Sequence, residues 1–340
     1  MKKIITITIL LGLVNAAIAQ ISVWAYGDLY YKYSTIDTTV EPNRYQQNQT
    51  NDFVANHFVI GAKYAHKDTV KGVDVTANLA LQNGAYVQAN YAAEPSWAKY
   101  LYDANIRVGF KKYWSVEAGV WGSGFIGQPS TLAIDNPFAS FGYCSDYTPY
   151  YMTGVRGTYT KGKWFAMVGL FNGQQHIRDN NRGWGPGGQI TFTGDKITFN
   201  MGIIASNEAN AGMPQRWRLV VTPDITWQMT KKTKLFVGTG LTQDGVDKTQ
   251  WFVWTGVQYA IIPKLKLAAR GEYFHDPGNL WALEPGGNSY LLYNFSTNLD
   301  YNITDKIVVR VEGKYFGASR DVFFGKSNYT TIAAYVQFKL

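Results

Sequence analysis

Residues 217–242 read WRLVVTPDITWQMTKKTKLFVGTGLT, in which two alternating apolar–polar runs of about ten residues flank the polar segment 230–233. In the first run Trp217, Leu219 and Ile225 share one parity, whereas Arg218 and Asp224 share the other. Successive side chains of a strand point to opposite faces, so each run predicts one apolar face and one polar face. A tilted strand needs ~9–11 residues to cross a bilayer. The stretch therefore predicts a hairpin of membrane-spanning length.

The same unit recurs along the chain, because short polar segments alternate with longer irregular ones. The short segments are 66–71, 111–113, 160–163, 194–196, 230–233, 262–264 and 304–306. The longer connections are 36–54, 85–100, 126–149, 175–184, 209–216, 243–248, 275–287 and 318–327. This alternation predicts an all-β fold, an antiparallel up-and-down transmembrane β-barrel of sixteen strands with both ends on the short-turn side. A count of 14 or 18 stays open, and residues 189–193 form the weakest predicted strand.

Charged residues alternate with apolar ones inside the predicted strands. In residues 307–315, Ile307, Val309 and Val311 oppose Arg310 and Glu312. Such strands escape hydropathy averages, so the mean hydropathy of −0.20 does not exclude a membrane protein. Aromatic residues stand beside the short segments, as in an interfacial girdle. They are Tyr64, Phe110, Trp114, Tyr159, Trp164, Phe192, Trp227, Phe236, Tyr259 and Tyr301.

The first nineteen residues have the pattern of a secretory signal peptide. Lys2 and Lys3 precede an apolar segment at 4–14, and Ala17-Ile18-Ala19 forms an A-x-A cleavage site. We therefore expect a signal peptide at 1–19, cleaved after Ala19, and one barrel domain at 20–340. A spanning helix is the alternative, but the apolar segment is too short for the ~20 residues it needs. Export also argues against nucleic acid as the partner of this mildly basic chain of net charge +8.

The polar parity of the strands predicts the residues that line a water-filled interior. The basic candidates are Lys32, Lys63, Arg107, Arg156, Arg218, Lys266, Arg270, Arg310 and Lys314. The acidic candidates are Asp28, Asp74, Asp103, Glu117, Asp224, Glu272, Asp300 and Glu312. Opposed charges across a narrow passage would orient dipolar solutes and bias ions. Alternatively, they are cross-strand ion pairs that each stabilise the barrel by ~0.2–1 kcal/mol.

The third long connection, residues 126–149, predicts a constriction. Pro129, Pro137 and Pro149 prevent continuous strand pairing. Its content of Leu, Ile, Phe and Tyr is too apolar for a solvated segment. We expect it to fold into the barrel and set the narrowest point, with Asp135 and Asp146 facing Arg107, Arg156 and Arg218. An outer lid or a subunit contact is the alternative.

Other functional classes leave weaker signals. The four histidines are His57, His66, His176 and His275, and no G-x-S-x-G, H-E-x-x-H or D-x-D-x-D pattern occurs. We therefore predict no enzymatic activity, no cofactor and no metal. A secreted propeller would pack four strands into each ~40–45 residues, where this chain has two long ones. An adhesive or structural barrel without a conducting pore remains an alternative.

Residues 23–31, VWAYGDLYY, resemble the opening strand of β-barrel porin family 2, the OmpL-like outer-membrane porins. The overall plan, a leader followed by amphipathic strands, is similar as well. The resemblance implies a passive diffusion channel for small hydrophilic solutes and ions in the outer membrane of a Gram-negative bacterium. Its partners would be outer-membrane lipid and those solutes, and analogy with sixteen-stranded porins suggests a homotrimer. The chain departs from many outer-membrane barrels by ending Phe338-Lys339-Leu340 rather than on an aromatic residue.

Overall fold

A closed antiparallel barrel forms the body of the computed structural model, which describes residues 21–42, 44, 46–68, 72–110, 112–122, 130–181, 183–245, 248–281 and 286–340. Each strand pairs with its neighbours in sequence, and β16 closes the barrel on β1 from Tyr26↔Lys339 to Ser34↔Thr331. The strands are β1 Ile21–Ser34, β2 Asp52–Asp68, β3 Val73–Asn83, β4 Leu101–Phe110, β5 Trp114–Trp121, β6 Met152–Lys161, β7 Trp164–Phe171, β8 Gly185–Thr193, β9 Ile197–Asn207, β10 Trp217–Gln228, β11 Thr233–Asp244, β12 Lys248–Ile262, β13 Leu265–Asp276, β14 Tyr290–Asn302, β15 Ile307–Ala318 and β16 Asn328–Lys339. The predicted count of sixteen is confirmed, and the counts of 14 and 18 and the propeller are wrong.

The hairpin predicted from residues 217–242 is formed by β10 and β11, paired from Arg218↔Asp244 to Gln228↔Lys234. Thr230 fastens its turn: the Thr230 amide donates to the Thr233 carbonyl at 3.3 Å, and the Thr233 amide donates to Thr230 Oγ1 at 3.0 Å. Pairing between the two strands is interrupted beside Pro223, which has no N–H to donate. The predicted weak strand 189–193 lies within β8.

The outer face of the barrel is apolar, as the parity of the strands predicts. Val23, Ile60, Val168 and Phe295 are between 61% and 71% exposed. Near the short turns, outward aromatic rings touch across strands, with ring centroids 4.6 Å apart for Trp114 and Tyr159 and 4.9 Å apart for Trp164 and Phe192. These rings form the expected girdle on that side.

Phe236 is the exception, because it is 8% exposed and packs inside the barrel against Phe138. It has the parity of the inward residues of β11, so its assignment to the girdle was wrong. Its neighbours Leu235 and Val237 take the outward parity instead.

Among the described residues, the long connections contain three short helical segments. They are Ala85–Asn90, the 3-10 helix Ala133–Asp135 and Tyr143–Asp146. In the part of the chain that the structure describes, none of the helices is long and apolar enough to cross a membrane. The predicted turn 66–71 begins later than expected, since β2 continues to Asp68. The predicted signal peptide, residues 69–71, 111, 126–129, 246–247 and 282–285 lie outside the described residues.

Candidate functional site

Charged pairs on β4, β5 and β6 line one side of the barrel interior. Glu117 lies between two arginines, with its carboxylate 2.6 Å from Arg156 Nη2 and 3.5 Å from Arg107 Nε. Arg156 also stacks on Trp121, with its Cζ 4.2 Å from the ring centroid. Register places Glu117 opposite both arginines, so these are cross-strand ion pairs. Asp103 of β4 accepts a hydrogen bond from the Gly122 amide at 3.0 Å.

A second part of the interior, here called the open wall, consists of β8–β12. Asp224 accepts a hydrogen bond from Asn200 Nδ2 at 2.9 Å and faces a cavity. Nearer the long loops, Arg218 Nη2 lies 2.6 Å from the Asp244 carboxylate, which Arg216 also approaches at 3.2 Å. The charges of this wall are therefore few and separated by neutral polar residues.

The opposite part, here called the covered wall, consists of β13–β16 and β1. Eight of the predicted lining residues lie on it and are between 0% and 7% exposed. They are Asp28, Lys32, Arg270, Glu272, Asp300, Arg310, Glu312 and Lys314. These side chains were expected to face water, but protein loops cover them.

Loop 3, residues 126–149, is the main cover, and its described part folds into the barrel. Arg310 donates to three of its carbonyls, at 2.9 Å to Asn136 and Phe138 and 3.3 Å to Ala133. Lys314 donates to the Phe141 carbonyl at 2.8 Å. Hydrogen bonds of charged groups each contribute ~1.5–3 kcal/mol, so this wall holds the loop firmly. The predicted inward fold of loop 3 is confirmed.

Glu272 and Glu312 add acceptors for the same loop. The Tyr143 amide donates to Glu272 Oε2 at 3.0 Å, and Ser140 Oγ donates to Glu312 Oε2 at 2.5 Å. Asp300 pairs with Arg310 at 3.6 Å from the neighbouring strand. Both signs of charge on the covered wall are thus used to bind the backbone of loop 3.

The first long loop packs against loop 3 from the side of the long connections. Arg44 Nε lies 2.7 Å from the Asp146 carboxylate, and Arg44 Nη2 donates to the Phe141 carbonyl at 2.7 Å. Burial raises the pKa of Asp146 to about 6, although Arg44 acts in the opposite direction. Lys32 pairs with Glu41 of the same first loop at 2.6 Å. Loop 3 is therefore clamped between the covered wall and the first loop.

Asp135 and Asp146 form no ion pair with Arg107, Arg156 or Arg218 among the described residues, so the predicted opposition across the constriction was wrong, although Asp146 and Arg218 border the same outer cavity. Asp146 pairs with Arg44, and Asp135 binds Lys339 at 2.7 and 2.9 Å. The reason is that loop 3 crosses the interior and docks on strands distant in sequence, where Arg310 and Lys314 satisfy its carbonyls. Nearness in the sequence therefore predicted the wrong ion-pair partners for Asp135 and Asp146.

Three cavities lie beside loop 3 in the barrel interior, and the first two are also bordered by residues of the covered wall. The central cavity, of about 310 Å³, lies between loop 3 and the open wall and includes Asn136, Phe138, Asp224 and Trp254. A second, of about 370 Å³, shares Asn136, Pro137 and Phe236 with the first and extends to the short-turn end at Asp305. Lys266 lines this second cavity.

The third cavity, of about 250 Å³, lies towards the long loops beside Tyr147, Arg218 and Trp281. Lys63 and Asp74 belong to none of these three cavities. Lys63 is exposed on β2 and pairs in register with Ser22 and Asn78. Asp74 is half-buried on β3, opposite Gly109.

The sequence of this barrel matches a known protein family. Residues 20–339 match the family described as "Putative beta-barrel porin-2, OmpL-like". The chain belongs to this porin family. No curated protein matches the porin. The family suggested by residues 23–31 is confirmed.

Solved structures share the porin's fold at low sequence identity. An anion-selective porin from Comamonas acidovorans has a TM-score of 0.66 at 10% identity, covering 94% of this chain and 99% of that one. Salmonella typhi OmpF, in complex with daunomycin, has a TM-score of 0.65 at 11% identity, covering 94% and 97%. Pseudomonas putida OprB has a TM-score of 0.65 at 11% identity, covering 97% and 96%. Family and fold together make this protein an outer-membrane porin channel, as the sequence predicted.

Several residues that shape the porin's interior were missed by sequence reasoning. Gln189, Asn200 and Trp254 have inward parity on their strands, so parity could have found them. Charge alone directed attention to other positions. Arg44 and Glu41 lie in a long loop, where no periodic pattern indicates which way a side chain points. Asn56 was missed because a bulge at residues 55–57 places both Asn56 and His57 inside, at 2% and 1% exposure.

Proposed function

We propose that small hydrophilic solutes cross this porin by passive diffusion along the open wall, with loop 3 setting the narrowest point. The observation that carries the proposal is the pair of cavities sharing Asn136, Pro137 and Phe236. They join the centre of the barrel to its short-turn end beside loop 3, where Lys266, Asp300 and Arg310 of the covered wall also border the second cavity. Polar and charged side chains border both cavities, and such groups suit water-soluble solutes rather than lipid.

We draw the residues that border this path from the predicted set. Asp224 and Lys266 border the cavities, and Arg218 borders the outer one. We assign Arg107, Glu117, Arg156 and Asp103 to the adjoining wall, and Lys63 and Asp74 to the wider part near the short turns. Of the predicted residues on the covered wall, Arg270 and Glu272 border the central cavity, Asp300 and Arg310 border the second, and Asp28, Lys32, Glu312 and Lys314 act on solutes through the position of loop 3.

Removal of residues 132–143 tests the role of loop 3. In planar bilayers, single-channel conductance and the largest polyethylene glycol admitted should both rise, because the segment occupies the interior. Removal of residues 210–213, which are exposed in another long loop, is the control and should change neither quantity. Unchanged conductance with loss of oligomers would assign loop 3 to a subunit contact. A folded, heat-modifiable protein that never conducts would favour an adhesive or structural barrel.

Two further proposals concern the exported form of the porin. A structure of OmpT from Vibrio cholerae, similar at a TM-score of 0.62 and 10% identity, is described as a trimer form. We propose a homotrimer here too, and mass measurement of the detergent-solubilised protein would test it by giving three chains or one. We also propose cleavage after Ala19, so sequencing of the protein from outer membranes should begin at Gln20.

A further inference from the structure

The central cavity has two chemically different sides. Gln189, Thr191 and Asn200 of the open wall form a hydrogen-bonded row that ends at Asp224. On the other side, Trp254 and Phe236, from the β11 and β12 part of the same wall, approach Phe138 of loop 3. A pocket with one apolar side and a few oriented polar groups is the usual design of a small-molecule site. Its volume of about 310 Å³ lies at the lower end of such sites.

The polar row is oriented before any solute arrives. Asn200 Oδ1 accepts from Gln189 Nε2 at 2.6 Å and from Thr191 Oγ1 at 2.9 Å, while Asn200 Nδ2 donates to Asp224 Oδ2 at 2.9 Å. No lysine or arginine among the described residues lies within ion-pair distance of Asp224. One carboxylate oxygen therefore remains to accept hydrogen bonds inside the cavity.

The aromatic side depends on two glycines. A Cβ at Gly238 would lie 2.2 Å from Trp254 Nε1, and one at Gly256 would lie 2.4 Å from Phe138 Cζ. Trp254 and Phe138 thus each pack against a glycine, in the space that a side chain at that position would fill. Phe138 meets Phe236 edge-on at 5.7 Å and Trp254 at 6.3 Å between centroids. Trp254 is half-buried, so part of its indole remains uncovered beside the cavity.

Arg270 supplies a donor to the same cavity as Asp224. Its side chain is 5% exposed, lines the cavity and lies over Phe138 with Cζ 4.7 Å from the ring centroid. Its Nη2 has no hydrogen-bond partner among the described residues. A buried donor without a partner costs about 1–3 kcal/mol, which a ligand oxygen would recover.

Two carboxylates, Asp224 and Glu272, and one guanidinium, Arg270, border the cavity, and Arg270 Nε lies 3.8 Å from Glu272. The carboxylates disfavour an anion, and the Arg270 guanidinium disfavours a cation. Hydroxyl groups can donate to Asp224 and accept from Arg270 at the same time. The C–H face of a sugar ring can lie on the indole of Trp254, as apolar surfaces do on aromatic rings.

We propose that the constriction is a binding site for an uncharged polyhydroxylated solute of monosaccharide size, stacked on Trp254 and hydrogen-bonded to Asp224 and Arg270. The proposal deepens the diffusion function and rests on it. The solute would pause at this site during its passage along the open wall.

D-glucose is the probe, and the full-length porin is tested in planar bilayers. The ion current through wild-type channels should fall saturably with glucose concentration. Trp254→Ala should raise the half-blocking concentration roughly tenfold while the channels still conduct salt. Trp251→Ala is the matched control, because Trp251 lies on the same strand with outward parity and is 38% exposed. A decline without saturation in wild-type channels, equal to the effect of bulk viscosity, would overturn the site and leave the porin function intact.

Calorimetry on the detergent-solubilised porin separates binding from conduction. Glucose should bind more weakly to Asp224→Asn than to wild type, and gluconate and glucosamine should both bind wild type more weakly than glucose does. Equal or tighter binding of either charged analogue would overturn the proposed preference for an uncharged solute. Binding that depends on Trp254 in a barrel that never conducts would keep the site and contradict the diffusion function.

Discussion

The covered wall and the open wall have the same strand pattern but different uses of charge. On the covered wall Arg310, Lys314 and Glu272 form hydrogen bonds with the backbone of loop 3. On the open wall Asp224 keeps one carboxylate oxygen towards a cavity, within a row of neutral side chains. An inward charge can therefore either hold the constriction in place or meet the solute. The difference lies in what loop 3 covers.

Loss of Arg310 should have the largest effect on this arrangement. Arg310→Ala removes three hydrogen bonds to loop 3 and leaves Asp300 buried without its cation. Removal of one partner of a buried pair costs ~3–5 kcal/mol, so loop 3 should detach. Single-channel recordings should show a higher, noisier conductance. Arg218→Ala on the open wall is the control, and equal behaviour of the two variants would abolish the distinction between the walls.

Lys314 should have a smaller effect of the same kind. Lys314→Met keeps most of the side-chain volume but removes the hydrogen bonds to Phe141 and Ser140. We expect about 1–3 kcal/mol less stability of the docked loop. Proteolysis of loop 3 in folded protein would measure it as faster cleavage. Lys63→Met, an exposed lysine outside the cavities, should leave the cleavage rate unchanged.

Asp224 should influence ions rather than the position of loop 3. Asp224→Asn removes a charge beside the central cavity, so the reversal potential in a salt gradient should shift towards anions by a few millivolts, on the order of RT/F or less. Conductance noise should stay as in the wild type, because Asp224 has no hydrogen bond to loop 3 among the described contacts. A noisy channel with unchanged selectivity would place Asp224 among the residues that hold the loop.

The smallest expected effect concerns two long loops beside the open wall. Burial alone would lower the pKa of His176, but Glu208, 3.7 Å away, outweighs burial and raises it. Because the pKa of His176 is raised in the folded protein, its contact with Glu208 is fully stabilising at pH values below the unfolded pKa of about 6.5. This stabilisation is lost as the pH rises through the folded pKa. The Gln174 amide donates to Glu208 at 3.1 Å, so its protection factor, the intrinsic hydrogen-exchange rate divided by the observed rate at the same pH, should fall as pH rises. His176→Gln should remove this fall, and its persistence would contradict the assignment.

The fold was predictable because a membrane imposes a strict period on each strand. The hairpin of residues 217–242 illustrates this, since the residues assigned to its apolar face, such as Trp217, Leu219 and Ile225, lie on the outside of the barrel. Phe236 was assigned wrongly because its position beside a turn was given more weight than its parity in the strand. The bulge at residues 55–57 could not be predicted, because a single extra residue changes the parity without a compositional signal.

The site was predicted less well than the fold. Parity places Arg310 and Asp224 on the same face of the wall, yet one is 5% exposed beneath loop 3 and the other borders the central cavity. What separates them is the docking of a loop on strands more than a hundred residues away, and sequence spacing contains no such information. The prolines and apolar residues of loop 3 predicted that it folds inward, but not which wall it meets.

Thiol accessibility in open channels tests the central claim that loop 3 covers one wall and leaves the other open. Thr226→Cys on the open wall and Ser296→Cys on the covered wall would be compared in a Cys144→Ala background, which removes the buried native thiol. Thr226 borders the central cavity, and Ser296 is 4% exposed. A charged methanethiosulfonate reagent should quickly reduce the current of Thr226→Cys channels and leave Ser296→Cys channels unchanged. Equal reactivity at the two positions would contradict the account.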